Sequence, residues 1–502
     1  MPLLGARGTD RRSGRTFLGQ PLALVPLGAT EAWERFGYYA ARALLATYAY
    51  ARLRDPTFDV RRVAGARTLA RACAGYDFGV GVDGSDPVAV RARDDAAARA
   101  SARLYGAFAA ASYLMPVFGG VLSDAALGAH RSAVIGAAIM AGGYGGMATE
   151  WAFLIGMLAV CVGNGAFKPS MSTQLSALYD ANDPRRDAGF SIFYCCINLG
   201  AFFSPLIAGT VRVYFGYGAA FASAAVGMCC ALVIYASNRK LVREATVKRR
   251  DAIAGNGDDE EFGANSRAED AEDSSSTTLA GKLRDMVRVA RRNPNPMLAV
   301  AVVCAAGVGF SVVYEQQGST LMLFSEEHVD LYGLPTEFVA ALNPLFVLAL
   351  TPAVTKLWEW QAQRNREPHQ MTKIAIGCAL LALSFAVLMF GALPIDSHAS
   401  PERVSAMWIV LNQLLLTAGE LFSMPVALSY VSKIAPQGLL SAVIGLWFGS
   451  SFFGNYFSGI LGATYPSFDT PSSFFAALAA LAAVVAVALL LARAPLRRHC
   501  PT

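Results

Sequence analysis

The sequence predicts an all-α integral membrane protein of twelve helices in two six-helix halves. Three observations carry that expectation. Of 502 residues, 54% are hydrophobic and only 16% are charged, whereas a soluble chain carries about 25% charge. The apolar residues come in blocks close to the roughly 20 residues that cross a bilayer as a helix. A polar stretch divides those blocks six and six. A soluble multidomain enzyme, a disordered chain and a secreted disulfide scaffold all fit this pattern poorly.

The N-terminal tail, 1–21, has Arg7, Arg11, Arg12 and Arg15 with no compact apolar core ahead of them, so it is no signal peptide and the first apolar run is a membrane helix. The N-terminal bundle, 22–236, contains runs at about 22–50, 103–122, 131–149, 151–177, 189–210 and 218–236. The linker, 237–296, includes DDEEFGANSRAEDAEDSSSTT and reads as disordered. The C-terminal bundle, 297–493, contains runs at about 297–324, 336–358, 374–393, 404–430, 439–463 and 473–493, before a tail at 494–502. Two sets of six are the arithmetic of a transporter built from repeated halves.

The positive-inside rule places both termini and the linker in the cytoplasm of a multi-pass protein, with the plasma membrane as the expected location. Arg185–Arg186, the Arg239–Arg250 cluster, Lys356–Lys373, Lys433 and Arg497–Arg498 then face inward. One segment disobeys: 51–102, placed outside as a long extracellular loop, holds nine Arg. Its Arg/Asp/Ala composition reads as a solvated spacer.

The net charge of +5 is small and spread over loops, so no nucleic-acid partner is expected. Nine Cys without CxxC spacing, most in apolar runs, argue against a disulfide framework. The five His fall in polar connecting or terminal segments, so carboxylates must carry any proton. No metal, no cofactor beyond the proton and no catalytic constellation is expected, hence no enzyme. The Gly-rich GAAIMAGGYGGM of the third run follows no strand and serves helix packing. Pro205, Pro344, Pro352 and Pro425 mark kinks.

A charge at mid-bilayer costs several kcal/mol, so intramembrane ionisable residues are functional candidates. The first run carries Glu31, Glu34, Arg35 and Arg42, the fourth Lys168, the seventh Glu315 and the tenth Glu420. At about 100° per residue, Glu31, Glu34, Arg35, Tyr38, Tyr39 and Arg42 share an arc of roughly 140°. That face must look into a polar cavity. Glu31 and Arg35, four apart, can pair. Four carboxylates against three cations leave −1, so one carboxylate is expected to take up a proton readily. Static ion pairs welding the helices are the competing reading. At 1.5 Å per residue, Arg42 and Glu315 lie about 30 and 27 Å from the inner starts of their helices, and Lys168 and Glu420 about 25 Å from the outer starts of theirs. Arg42–Glu315 and Lys168–Glu420 are therefore candidate gate pairs, each joining one half to the other.

The chain resembles the proton-dependent oligopeptide transporters of the major facilitator superfamily. The match rests on ExxER at Glu31, Glu34 and Arg35, on SYLMPVFGGVLSDAALG with Asp124 and, beyond it, Arg131, and on FYCCINLG with Asn198. The resemblance implies a major facilitator fold and proton-coupled import of di- and tripeptides, with nitrate or another small anion as the alternative cargo. It implies proton coupling by Glu31, Glu34, Arg35 and Glu315. It assigns the peptide carboxylate to Arg42 and Lys168 and the peptide ammonium to Glu420, Asn198 and Asn343. Pocket walls fall to Tyr38, Tyr39, Tyr113 and Trp447, and gating to Asp124 and Arg131. A monomer in a lipid bilayer is expected. The chain departs from the family pattern at Val312, Ser170 and Met424, in the length of its 51–102 segment, and in lacking extra helices between the halves.

Overall fold

A computed structural model describes residues 16–17, 19–78, 86–179, 183, 185–245, 288–436 and 439–499. Span 1 is Leu24–Arg54, span 2 Pro87–Leu122, span 3 Ala129–Met147 and span 4 Phe153–Ser176. The next helix, Arg186–Ser237, has 52 residues, about 78 Å of rise and too long for one crossing. It breaks at Gly216, whose φ of 80° suits only glycine, into spans 5 and 6. Span 7 is Pro294–Tyr314, a 3-10 turn at Glu315–Gly318, then Thr320–His328. Spans 8 to 12 are Val339–Gln363, Gln370–Gly391, Met407–Ile434, Leu440–Gly462 and Pro471–His499. Split at Gly216, the described residues thus hold twelve long helices, and the chain is a multi-pass membrane protein. Eight stretches are long and apolar enough to cross a membrane unaided, and the charged span 1 is not among them.

Each half closes around its own apolar core, the first including Leu44, Tyr144 and Phe221 and the second Val303, Phe385 and Phe475. One end of the molecule carries the 51–102 segment (the cap end). The opposite end carries the start of span 1, the end of span 6 and the start of span 7 (the linker end). Most of the linker, 246–287, lies outside the described residues. The eight cysteines among the described residues are free.

The described parts of the 51–102 segment, 51–78 and 86–102, are folded, which corrects the spacer expected there. Span 1 continues to Arg54, a short helix spans Ala66–Ala74, and span 2 begins at Pro87 rather than near 103. Asp86 starts span 2 by accepting the Val88 amide at 2.9 Å, with Pro87 at the first helical position. Tyr50, Val60, Ala70, Phe78 and Ala96 to Ala98 form a small third core with Leu323 of the other half. Four of the nine arginines that broke the charge rule, Arg52, Arg54, Arg67 and Arg93, have structural partners. Arg52 pairs with Glu150 at 2.8 Å and Arg67 with Asp77 at 2.8 Å. Arg93 is 4% exposed and donates to the Leu53 and Asp55 carbonyls at 2.9 and 2.6 Å, satisfying the end of span 1. Arg93→Ala is therefore expected to cost about 2 kcal/mol, with Arg93→Lys recovering part of it. An unchanged melting temperature in the detergent-purified protein argues against the capping role. A second correction concerns His328, which ends a helix and is buried rather than lying in a polar connection.

Candidate functional site

A cavity of about 180 Å³ lies between the halves. Span 1 and span 5 line it with Tyr39, Arg42 and Asn198, and the C-terminal half lines it with Tyr314, Asn343 and Glu420. The two halves thus present charges of opposite sign to one space.

Glu31, Glu34 and Arg35 are all buried in span 1. Arg35 grips Glu34 with two donors: Nε bonds Oε2, and Nη2 bonds Oε1 at 2.7 Å. Its contact with Glu31 is longer, 3.5 Å from Nε to Oε1. The i, i+4 pair expected from spacing therefore exists, but the adjacent Glu34 is the main partner. Glu31 Oε2 is buried and has no hydrogen-bond partner among the described residues. Tyr38 packs below, with the Arg35 guanidinium 4.9 Å from its ring centre.

Arg42 and Glu315 pair across the halves, as depth along the helices predicts. Arg42 Nε also bonds the Tyr105 hydroxyl at 2.6 Å, and that hydroxyl lies 3.3 Å from Glu315 Oε2. Lys168 and Glu420, the other expected pair, are not joined. Among the described residues the Lys168 side chain makes no hydrogen bond or ion pair, and its Nζ sits 5.3 Å from the Tyr113 ring centre. Glu420 Oε2 accepts from the Tyr314 hydroxyl at 2.7 Å and from Asn343 Nδ2 at 3.0 Å. Its Oε1 takes no hydrogen bond from the described residues, so the carboxylate is oriented while one oxygen stays available.

Further bonds close the cap end. Glu327, at the end of span 7, accepts from Tyr50 at 2.6 Å and from Arg54 at 2.9 Å. Arg212 of span 5 lies 2.6 Å from the buried Glu337 ahead of span 8. Gly106 of span 2 meets Gly459 of span 11 so closely that an added Cβ would stand 2.5 Å from its Cα. All these contacts join one half to the other.

Tyr39, Arg42, Asn198, Asn343 and Glu420 line the cavity, whereas Arg35, Tyr38, Tyr113, Lys168 and Glu315 are not among its lining residues. Trp447 does not line it. It is buried in the C-terminal core, seated in the notch left by Gly307 of span 7. Tyr38 stacks on Phe108 inside the N-terminal half. At the linker end, span 2 runs into a π-helical turn at Ser123–Leu127, and Ser123 Oγ lies 3.3 Å from Ser170 Oγ of span 4. The Asp124 side chain lies outside the described residues, and Arg131 is exposed. Sequence reasoning missed Tyr105, Tyr194, Tyr314 and Gln317 of the lining. The signal available for Tyr314 was its place beside Glu315.

Known proteins resemble this chain along nearly its whole length. The chain is 28% identical to a peptide transporter of Yersinia enterocolitica, over 98% of this chain and 97% of that one. It is 26% identical to a di-/tripeptide transporter of Lactococcus lactis, over 97% of each. A crystal structure of a POT peptide transporter in complex with alafosfalin superposes with a TM-score of 0.73 at 26% identity, covering 98% of each chain. The fold is therefore that of the major facilitator transporters of this group. The profile described as the POT family matches residues 123–256 and 264–477, so the chain belongs to the POT family.

Proposed function

We propose that the chain is a proton-coupled symporter that imports di- and tripeptides by alternating access. The observation that carries this reading is the cavity itself, with Arg42 on one wall and Glu420, one oxygen unengaged, on the other. A zwitterionic peptide needs a cation and an anion at a fixed separation. Glu420, with Asn198 and Asn343, suits the ammonium, and the unpaired Lys168, with Arg42, suits the carboxylate. Tyrosine faces between them accept varied side chains by burial without demanding one shape. The names of the Yersinia and Lactococcus relatives support the same cargo.

In this reading the cap end faces outside, and the termini and linker are cytoplasmic in the plasma membrane. The protein works as a monomer. Arg42–Glu315, with the Glu327 and Glu337 contacts, closes the outside. The separation of Lys168 from Glu420 leaves the inside open. Rocking of the halves exchanges the two pairs. Asp124 and Arg131 serve the inner gate, and Glu31, Glu34, Arg35 and Glu315 couple the proton.

Proteoliposomes with an imposed inward proton gradient test the cargo. Dialanine is expected to accumulate and to be competed by other dipeptides but not by nitrate. Proton-driven uptake of nitrate with no uptake of dialanine would replace the peptide by a small anion.

A further inference from the structure

Tyr314 and Glu315 are consecutive, yet they serve opposite walls of the cavity. Glu315 reaches Arg42 and Tyr105 in the N-terminal half, while the Tyr314 hydroxyl reaches Glu420 of span 10, 2.7 Å away. The α-helix of span 7 ends at Tyr314, and the 3-10 turn begins at Glu315. Successive side chains therefore point roughly 100–120° apart about one axis. Turning that axis moves both.

The turn is braced on its far side. Gln316 Nε2 bonds the Ser458 carbonyl and hydroxyl of span 11 at 2.9 and 3.1 Å. Gly318 has no room for a Cβ against the Tyr105 ring and hydroxyl. A pull at Tyr314 is thus passed to Glu315 rather than absorbed by loose backbone. Glu420 is where the two demands meet. Tyr314 and Asn343 share its Oε2. An ammonium, a charged donor with three hydrogens, outcompetes a neutral hydroxyl for the same carboxylate.

We propose that Tyr314 is a positioning residue that couples the occupancy of Glu420 to the Arg42–Glu315 pair. With Glu420 unoccupied, Tyr314 tethers span 7 to span 10, and the cap end stays shut. An ammonium docking on the open Oε1 draws the carboxylate's charge and orientation away from Oε2, the hydroxyl bond is lost, span 7 is freed at its break, and the pair loosens. A ligand shifts such an equilibrium only through a difference in its contacts between the two states. Here the difference is one hydrogen bond.

The inference rests on the peptide reading for its ligand, but its first test needs no peptide. Hydrogen–deuterium exchange is followed across 315–328 in the full-length apo protein in nanodiscs, for wild type, Tyr314→Phe, Glu420→Leu and the double variant. Each single change is expected to raise exchange there about tenfold, with span 9 unchanged as the check on folding. The double variant is expected to equal either single one, because both remove the same bond from opposite sides. Additive effects, or no effect of Tyr314→Phe, overturn the coupling. In transport, Tyr314→Phe is expected to lower Vmax for dialanine about tenfold with a KM that is not raised, because the ammonium no longer competes with a hydroxyl for Glu420. A raised KM with unchanged Vmax would make Tyr314 a binding group and overturn the proposal. Failure of wild type to transport dialanine counts against the peptide reading, while the exchange cycle still decides the tether.

Discussion

Glu420→Gln is expected to weaken dialanine binding by at least about 100-fold, the effect of removing one partner of a desolvated charge pair. The substitution keeps the volume and the Asn343 contact, so shape is not at issue. It removes the only carboxylate among the described residues lining the cavity. What remains for a peptide ammonium is the amide oxygens of the new side chain, Asn198 and Asn343 and the tyrosine hydroxyls, none of which carries charge. In the proposed binding mode Lys168 and Arg42 still hold the carboxylate, so an N-acetylated dipeptide, which has no ammonium, should not distinguish variant from wild type. Isothermal titration of both ligands against both proteins gives four values. Equal losses for the two ligands would mean that the substitution disturbs the site as a whole rather than the charge pair.

The charged residues were legible because the bilayer makes each of them expensive. A carboxylate inside a membrane helix has few innocent explanations, and helices rise by a constant 1.5 Å per residue. Depth alone therefore predicted that Arg42 would meet Glu315, and it does. The same count could not say which gate pair is closed, since that depends on conformation. It also could not rank Glu31 against Glu34 for Arg35, because the guanidinium's reach covers both.

Tyrosines were harder. A membrane tyrosine is ordinary at an interface, and only the bond from Tyr314 to Glu420 or from Arg42 to Tyr105 sets these two apart. The turn of span 7 that aims Tyr314 is fixed by the bond from Gln316 to Ser458 of span 11, 142 residues away in sequence. Trp447 was misread for the opposite reason. Resemblance to the family assigned it to the wall, but the space beside Gly307 takes the indole into the core. The cap misled through composition. Arg, Asp and Ala describe a solvated spacer equally well until Arg93 is seen closing the end of span 1.

Glu34→Gln is expected to abolish proton-driven accumulation while leaving exchange intact. Glu31, Glu34 and Arg35 sum to one negative charge in a buried site. Arg35 spends two donors on Glu34 and leaves Glu31 Oε2 buried without a donor among the described residues. An unmet buried oxygen of this kind costs a few kcal/mol, and a proton on Glu31 removes the cost. That is a reason for the loaded site to carry a proton. With Gln at 34 the guanidinium turns to Glu31, the cluster becomes neutral, and no proton is required. In wild type, each coupled proton allows about tenfold accumulation per unit of pH gradient. In the variant the accumulation ratio should fall to one. Counterflow of labelled dialanine, which needs binding and rocking but no net proton movement, should continue. Glu31→Gln should give the same result by removing the proton site itself, with the Arg35–Glu34 pair untouched. The two variants together separate coupling from packing. If Glu34→Gln stops counterflow as well, the cluster holds span 1 in shape and the proton is carried elsewhere. If accumulation survives in both variants, Glu315 becomes the coupling carboxylate, and the release of Arg42 is then the protonation step.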